Sequence, residues 1–128
     1  EMIVVVTSAH NKCLYCVVAH GAILRLYEKS ATISDVIATN YLSAAITDRQ
    51  KAMLDFALKI SNDAAHVGDD DFKTLYGYGF NDDDIWDIGA ITALFALSNR
   101  MASLTAMRPN DEFFTLGRNV NASKQAKG

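Results

Sequence analysis

Both cysteines of this 128-residue chain lie in one short motif, Cys13-Leu14-Tyr15-Cys16, and His20 follows four positions after the second cysteine. On a helix, side chains three, four and seven positions apart share one face. Neighbouring-turn Cβ atoms are roughly 5–6 Å apart, which allows a strained but closable disulfide. An imidazole one turn from Cys16 can accept the thiol proton, and the thiolate is the reactive form. The spacing predicts a redox-active thiol pair with its own base.

The two thiols differ in what could activate them. Free N–H groups at the start of a helix would favour a thiolate at Cys13. His20 would instead activate Cys16. We expect Cys16 to be the attacking sulfur, because a base one turn away accepts the proton directly while the helix supplies only a fixed field.

A metal site is the main alternative use of these side chains. His10, Cys13, Cys16 and His20 are ligand types of structural zinc. Their order is unusual for zinc, and four ligands on one or two adjoining helical segments do not easily surround a tetrahedral ion. Burial of the cysteines as small hydrophobic side chains is the other alternative. Weighing these, we predict no metal and no cofactor.

The composition restricts the class of protein. Half of the residues are apolar and 21% are charged, as in soluble globular domains. A net charge of −3 provides no basic surface for nucleic acid or an anionic membrane. No uncharged apolar run is long enough to span a bilayer. A cysteine pair this close fits redox or metal chemistry in a reducing compartment better than structural crosslinking, so the cytoplasm is the expected location.

The elements that must position the motif are predicted to be helices. The only proline is Pro109, and glycines are scattered, which favours an all-α fold. Residues 2–10 contain a valine run that favours a strand by propensity alone, but we predict a helix because the downstream sequence is helical throughout. The other predicted helices are residues 13–29, 34–41, 49–62, 69–76 and 83–107. Ile85, Ile88, Thr92, Phe95, Ala96 and Asn99 follow one another along the last of them.

Several polar residues are predicted to begin these helices. Ser34 is the expected cap of the third helix, Thr47 or Asp48 of the fourth, and Asn81 or Asp82 of the last. The aspartate runs at 69–71 and 82–84 lack the spacing of a calcium-binding loop, and helix capping explains them.

One domain is expected over residues 1–117, followed by a polar, small-residue-rich tail at 118–128 that we predict to be disordered. Because the chain opens on glutamate rather than methionine, we also expect that an N-terminal segment is missing.

Parts of the sequence resemble a known family. The likeness is to the alkylhydroperoxidase D / carboxymuconolactone decarboxylase superfamily, and more closely to its uncharacterised peroxidase-related branch. It covers most of residues 1–113, and the first block, with both cysteines, is the specific one. The matching blocks are residues 1–6, 10–21, 52–60, 79–82, 93–95 and 98–102.

This resemblance implies an all-α, AhpD-like domain with the Cys-x-x-Cys motif at the start of a central helix, assembled as homotrimers or homohexamers. It implies that Cys16 is the peroxidatic thiol and Cys13 the resolving thiol. Glu1 matches in spacing the glutamate that joins a histidine, here His20, in a proton relay to the thiols. Tyr15 departs from the pattern, because the family's peroxidases often have histidine at that position.

The resulting prediction is a thiol-dependent peroxidase with catalytic residues Cys16, Cys13, His20 and Glu1. Its substrate would be a hydroperoxide, and an external dithiol or thioredoxin-like protein would be the reductant. Two alternatives stay open at this point. One is a thiol–disulfide reductase without peroxidase activity, and the other is a non-catalytic, redox-sensing oligomer.

Overall fold

The structure is a computed structural model that describes residues 1–119. It contains no β-strand within those residues, so the predicted all-α fold is confirmed. The α-helices are α1 (Met2–His10), α2 (Leu14–Glu28), α3 (Ile33–Asn40), α4 (Asp48–Asp63), α5 (Asp69–Gly77) and α6 (Asp82–Leu104). Short 3₁₀ turns are Tyr41–Ser43, Ala64–His66 and Asp111–Phe114.

Helix α1 is the centre of the packing, with α2, α3, α4 and α6 all in contact with it. Every residue from Met2 to Ser8 is buried, and Val5 has no exposed surface. A helix that is apolar all round is stable only where neighbours cover every side. This explains why the valine run forms a helix despite its strand propensity. None of the helices within residues 1–119 is long and apolar enough to cross a membrane.

Two of the predicted caps are confirmed. Thr47 caps α4 in a reciprocal capping box, in which its hydroxyl accepts from Gln50 N–H at 3.1 Å and its own N–H donates to Gln50 Oε1 at 2.9 Å. Asn81 caps α6 in the same way with Asp84. Helix α4 therefore begins one residue earlier than predicted, at Asp48.

The predicted cap of the third helix is wrong. Helix α3 begins at Ile33, so Ser34 lies inside it. Ser34 is buried, and its hydroxyl accepts a hydrogen bond from Arg25 Nη1 at 2.9 Å. A tertiary partner therefore uses the oxygen that local sequence suggested for capping.

The last helix ends at Leu104, three residues before the predicted end at residue 107. Ala106 adopts a left-handed conformation with φ of 51°, and Met107 N–H donates back to Ala102 carbonyl at 2.9 Å. This arrangement closes the helix end in the manner of a Schellman motif. Pro109 therefore follows the helix end rather than causing it.

The segment that follows α6 runs back along the domain and contacts α2 and α3. Arg25 Nε donates to Leu116 carbonyl and Nη2 to Phe113 carbonyl, both at 2.8 Å. Arg118 forms a two-pronged ion pair with Asp35, at 2.6 and 3.0 Å. The packed region thus includes Arg118, the first residue of the predicted tail. The predicted disorder of residues 120–128 concerns a segment outside the described residues.

Candidate active site

The cysteine motif begins in the turn between α1 and α2. Lys12 has a positive φ of 54°, which turns the chain back so that Cys13 N–H donates to Ser8 carbonyl at 2.9 Å. Cys13 is the N-cap of α2, and its Sγ accepts the N–H of Cys16 at 3.4 Å. The predicted position at the start of a helix is observed, although Cys13 precedes the first helical residue.

Both thiols are free and buried, Cys13 with 1% and Cys16 with 3% of its surface exposed. The pKa of Cys16 is raised to about 11, first by burial and then by hydrogen bonding to Cys13. Hydrogen bonding by Asn99 and Ser8 lowers the pKa of Cys16, but the two effects do not offset burial. In this state the Cys16 thiol therefore keeps its proton at neutral pH.

His20 lies on α2 with one ring nitrogen already paired. Its Nδ1 is 2.8 Å from Glu1 Oε2, and both side chains are about three-quarters buried. The ring packs edge-on against Phe95, with centroids 4.8 Å apart. Within residues 1–119, no hydrogen bond joins His20 to either thiol. The structure thus brings Glu1 and His20 together and leaves Nε2 as the nitrogen available to other partners.

A cavity of about 530 Å³ connects Cys16 with His20. Cys16 and His20 both line it, whereas Cys13 and Glu1 do not. Most of its wall is apolar, as expected for a site that admits a small organic molecule. Cys16 is therefore the thiol that a molecule in this cavity would meet. The lining residues are Tyr15, Cys16, His20, Phe95, Ser98, Met101, Ala102, Thr105 and Met107.

Sequence reasoning missed the polar side chains beneath the thiols. Ser8 and Asn99 are fully buried, with 0% and 1% of their surfaces exposed. Asn99 Nδ2 donates to Ser8 Oγ at 2.8 Å, and Asn11 Nδ2 donates to Asn99 Oδ1 at 3.0 Å. A signal was present, because Asn99 continues the stripe of α6 that contains Ile88 and Phe95. An asparagine on an inward-facing stripe indicates a polar partner inside the protein.

A zinc site formed by His10, Cys13, Cys16 and His20 would require these four side chains to lie close together. His10 is exposed at the end of α1, while both cysteines are buried. Residues 1–119 contain no group of three or more histidine, cysteine, aspartate or glutamate side chains arranged to hold a metal ion.

Two solved structures are closely similar to this chain. An "alkylhydroperoxidase AhpD core: uncharacterized peroxidase-related protein" from Ralstonia eutropha JMP134 has 62% sequence identity and a TM-score of 0.90, with 91% of this chain covered. An uncharacterized peroxidase-related protein from Silicibacter sp. TM1040 has 44% identity and a TM-score of 0.89, again with 91% covered. This chain spans 62% and 61% of their respective lengths. No protein-family model matches the sequence, and no curated protein matches it.

Proposed function

This chain matches the AhpD-like, peroxidase-related branch in both fold and sequence, and from that premise we propose that it is a thiol-dependent peroxidase that reduces hydroperoxides. One observation carries the proposal. Cys16 and His20 line the same cavity, and Cys13 lies directly behind Cys16. The cavity therefore offers a peroxide a sulfur to oxidise and an imidazole to move protons.

The first step is attack by Cys16 on the peroxide. Glu1 accepts a hydrogen bond from Nδ1–H of His20, which leaves Nε2 as the base for the Cys16 thiol, directly or through a bridging water. The Cys16 thiolate attacks the terminal peroxide oxygen, and the O–O bond breaks. Sulfur is oxidised by two electrons to a sulfenic acid. The departing alkoxide or hydroxide takes a proton from His20 and leaves as alcohol or water.

The second step joins the two cysteines. Cys13 sulfur attacks the sulfenic acid sulfur of Cys16, the S–O bond breaks, and water leaves as the disulfide forms. An external dithiol, free or carried by a thioredoxin-like protein, then reduces this disulfide and becomes a disulfide itself. The balanced reaction converts one hydroperoxide and one dithiol into an alcohol, water and a disulfide. These steps need no bound cofactor or metal.

The proposal extends to assembly and location. Exposed apolar side chains on α6, among them Leu94, Leu97 and Leu104, support assembly into a homotrimer or homohexamer. A cysteine pair three positions apart fits redox chemistry in a reducing compartment better than structural crosslinking, so we propose the cytoplasm as its location.

The test compares the wild type with Cys13→Ser and Cys16→Ser in dithiol-driven reduction of hydrogen peroxide and an organic hydroperoxide. We expect turnover by the wild type and none by Cys16→Ser. In a separate reaction without dithiol, Cys13→Ser should stop after one oxidation and accumulate a sulfenic acid that dimedone traps at Cys16. Absence of wild-type turnover, with reversible disulfide formation intact, would contradict the peroxidase and favour a reductase or a redox sensor. Stoichiometric zinc in the purified protein would contradict all three functions.

A further inference from the structure

Three helices bring polar side chains to the buried side of Cys16. Ser8 lies on α1, Asn99 on α6 and Cys16 on α2, and all three are almost fully buried. Burying an amide and a hydroxyl between helices is unfavourable unless both find hydrogen-bond partners. Asn99 binds Ser8 on one side and Asn11 on the other. These bonds account for only part of what the two buried side chains can donate.

These bonds leave two hydrogen-bond donors unused, the Ser8 hydroxyl and one N–H of the Asn99 amide. Asn99 Nδ2 carries two hydrogens, and Ser8 Oγ accepts one of them. Thr7, one position earlier, donates its hydroxyl back to Ile3 carbonyl at 2.7 Å. Ser8 makes no such bond, so its hydroxyl proton stays available. Within residues 1–119, no nitrogen or oxygen accepts the Ser8 proton or the second Asn99 proton. The Ser8 carbonyl accepts from Cys13 N–H, and Ala102, three residues after Asn99 on α6, packs against Cys13 and Cys16. These contacts place Ser8 and Asn99 beside the cysteine pair, and their hydrogen bonding lowers the pKa of Cys16.

We propose that Ser8 and Asn99 form a two-donor cradle that stabilises the thiolate of Cys16 when that sulfur attacks its substrate. This rests on the proposed function only in taking Cys16 as the attacking thiol. A buried thiolate needs preorganised donors because water is excluded from its inner side. The neutral hydroxyl and amide provide them without placing a second charge in the core.

The experiment measures Cys16 reactivity directly in a Cys13→Ser background, where Cys16 is the only thiol. The rate of alkylation by iodoacetamide is measured at one pH below the thiol pKa, for Ser8→Ala and for Asn99→Ala. Removing one hydrogen-bond donor from the Cys16 thiolate should raise the pKa of Cys16 by about one unit. A higher pKa lowers the fraction of Cys16 that is thiolate, but it also makes each thiolate more nucleophilic. Because these two effects partly cancel, we expect each alkylation rate to fall about threefold to tenfold.

Two variants separate this role from a purely structural one. Asn11→Ala removes the bond to Asn99 Oδ1 but leaves both donors to sulfur, so its alkylation rate should stay within twofold of the background. Thr92→Val changes another buried polar residue of α6, whose hydroxyl donates only to Ile88 carbonyl, and should also leave the rate unchanged. Equal falls in Asn11→Ala and Asn99→Ala, or unchanged rates in Ser8→Ala and Asn99→Ala, would overturn the cradle.

Folding is followed by circular dichroism, and Ser8→Ala, the smaller change, decides the outcome if Asn99→Ala does not fold. Alkylation needs no peroxide, so the two proposals can fail separately. A wild type that does not reduce peroxide, together with slowed alkylation in Ser8→Ala, would contradict the peroxidase and support the cradle.

Discussion

Glu1 Oε2 lies 2.8 Å from His20 Nδ1, although the two residues are 19 positions apart in sequence. The contact joins the residue before α1 to the second turn of α2, so it depends on the packing of these helices. A carboxylate at Nδ1 holds the imidazole ring in place and selects the tautomer in which Nε2 can accept a proton. The same ring faces the cavity that Cys16 lines.

The first prediction concerns this carboxylate. Glu1→Gln keeps an oxygen near Nδ1 but removes the negative charge, so His20 should accept the proton of the Cys16 thiol less readily. We expect sulfenic acid formation at Cys16 to slow by about tenfold or more in single-turnover reactions with hydrogen peroxide. Reduction of the oxidised protein by an external dithiol serves as the control and should keep its rate. An unchanged oxidation rate would exclude Glu1 from the proton relay.

Most of the fold could be predicted from local signals. Two capping pairs are visible in the sequence because their members are only three residues apart. They are Thr47 with Gln50 and Asn81 with Asp84, and both begin helices as expected. Ser34 offered the same kind of local signal, but the side chain that uses it is Arg25 on another helix. A local pattern does not reveal which distant donor reaches a hydroxyl, and this is why that cap was predicted wrongly.

The candidate site was less predictable. Spacing along one helix was enough to group Cys13, Cys16 and His20, because helical geometry relates positions three and four apart. The Ser8–Asn99 pair joins residues 91 positions apart, and only the packing of α1 against α6 brings them together. The raised pKa of Cys16 depends on the same packing, since burial is its largest cause.

A second prediction follows from that pKa. Below a pKa of about 11, the thiolate fraction of Cys16 increases tenfold for each pH unit. Alkylation of Cys16, followed at this site by mass spectrometry, should therefore keep rising with pH beyond 9, the usual thiol range. Cys13 raises the pKa of Cys16 through a hydrogen bond and its charge, so Cys13→Ser should move the rise to lower pH. A wild-type rate that levels off near pH 9, or an identical profile in Cys13→Ser, would contradict this.

A third prediction concerns the buried guanidinium of Arg25, which has 2% of its surface exposed. It donates to the carbonyls of Phe113 and Leu116 and to the hydroxyl of Ser34. Arg25→Met leaves these acceptors without their donor, so we expect a loss of about 2–3 kcal/mol in the free energy of unfolding by urea. Ser34→Ala removes one bond and should cost about 1 kcal/mol. Limited proteolysis should cleave the 111–119 segment faster in Arg25→Met, and equal stability of the two variants would refute the assigned role.

The last prediction compares two glycines that share a positive φ but differ in their surroundings. Gly117 has φ of 79°, and a Cβ there would lie 2.8 Å from Arg25 Cβ. Gly79 has φ of 86°, and a Cβ there would meet no atom within 4 Å. Gly79→Ala should therefore cost only the backbone strain of about 1–2 kcal/mol. Gly117→Ala adds a steric clash with Arg25 Cβ and should lower the free energy of unfolding by about 2–5 kcal/mol. Urea unfolding of both variants measures the difference directly. If Gly117→Ala is no less stable than Gly79→Ala, the 111–119 segment is not packed against Arg25 as closely as the structure places it.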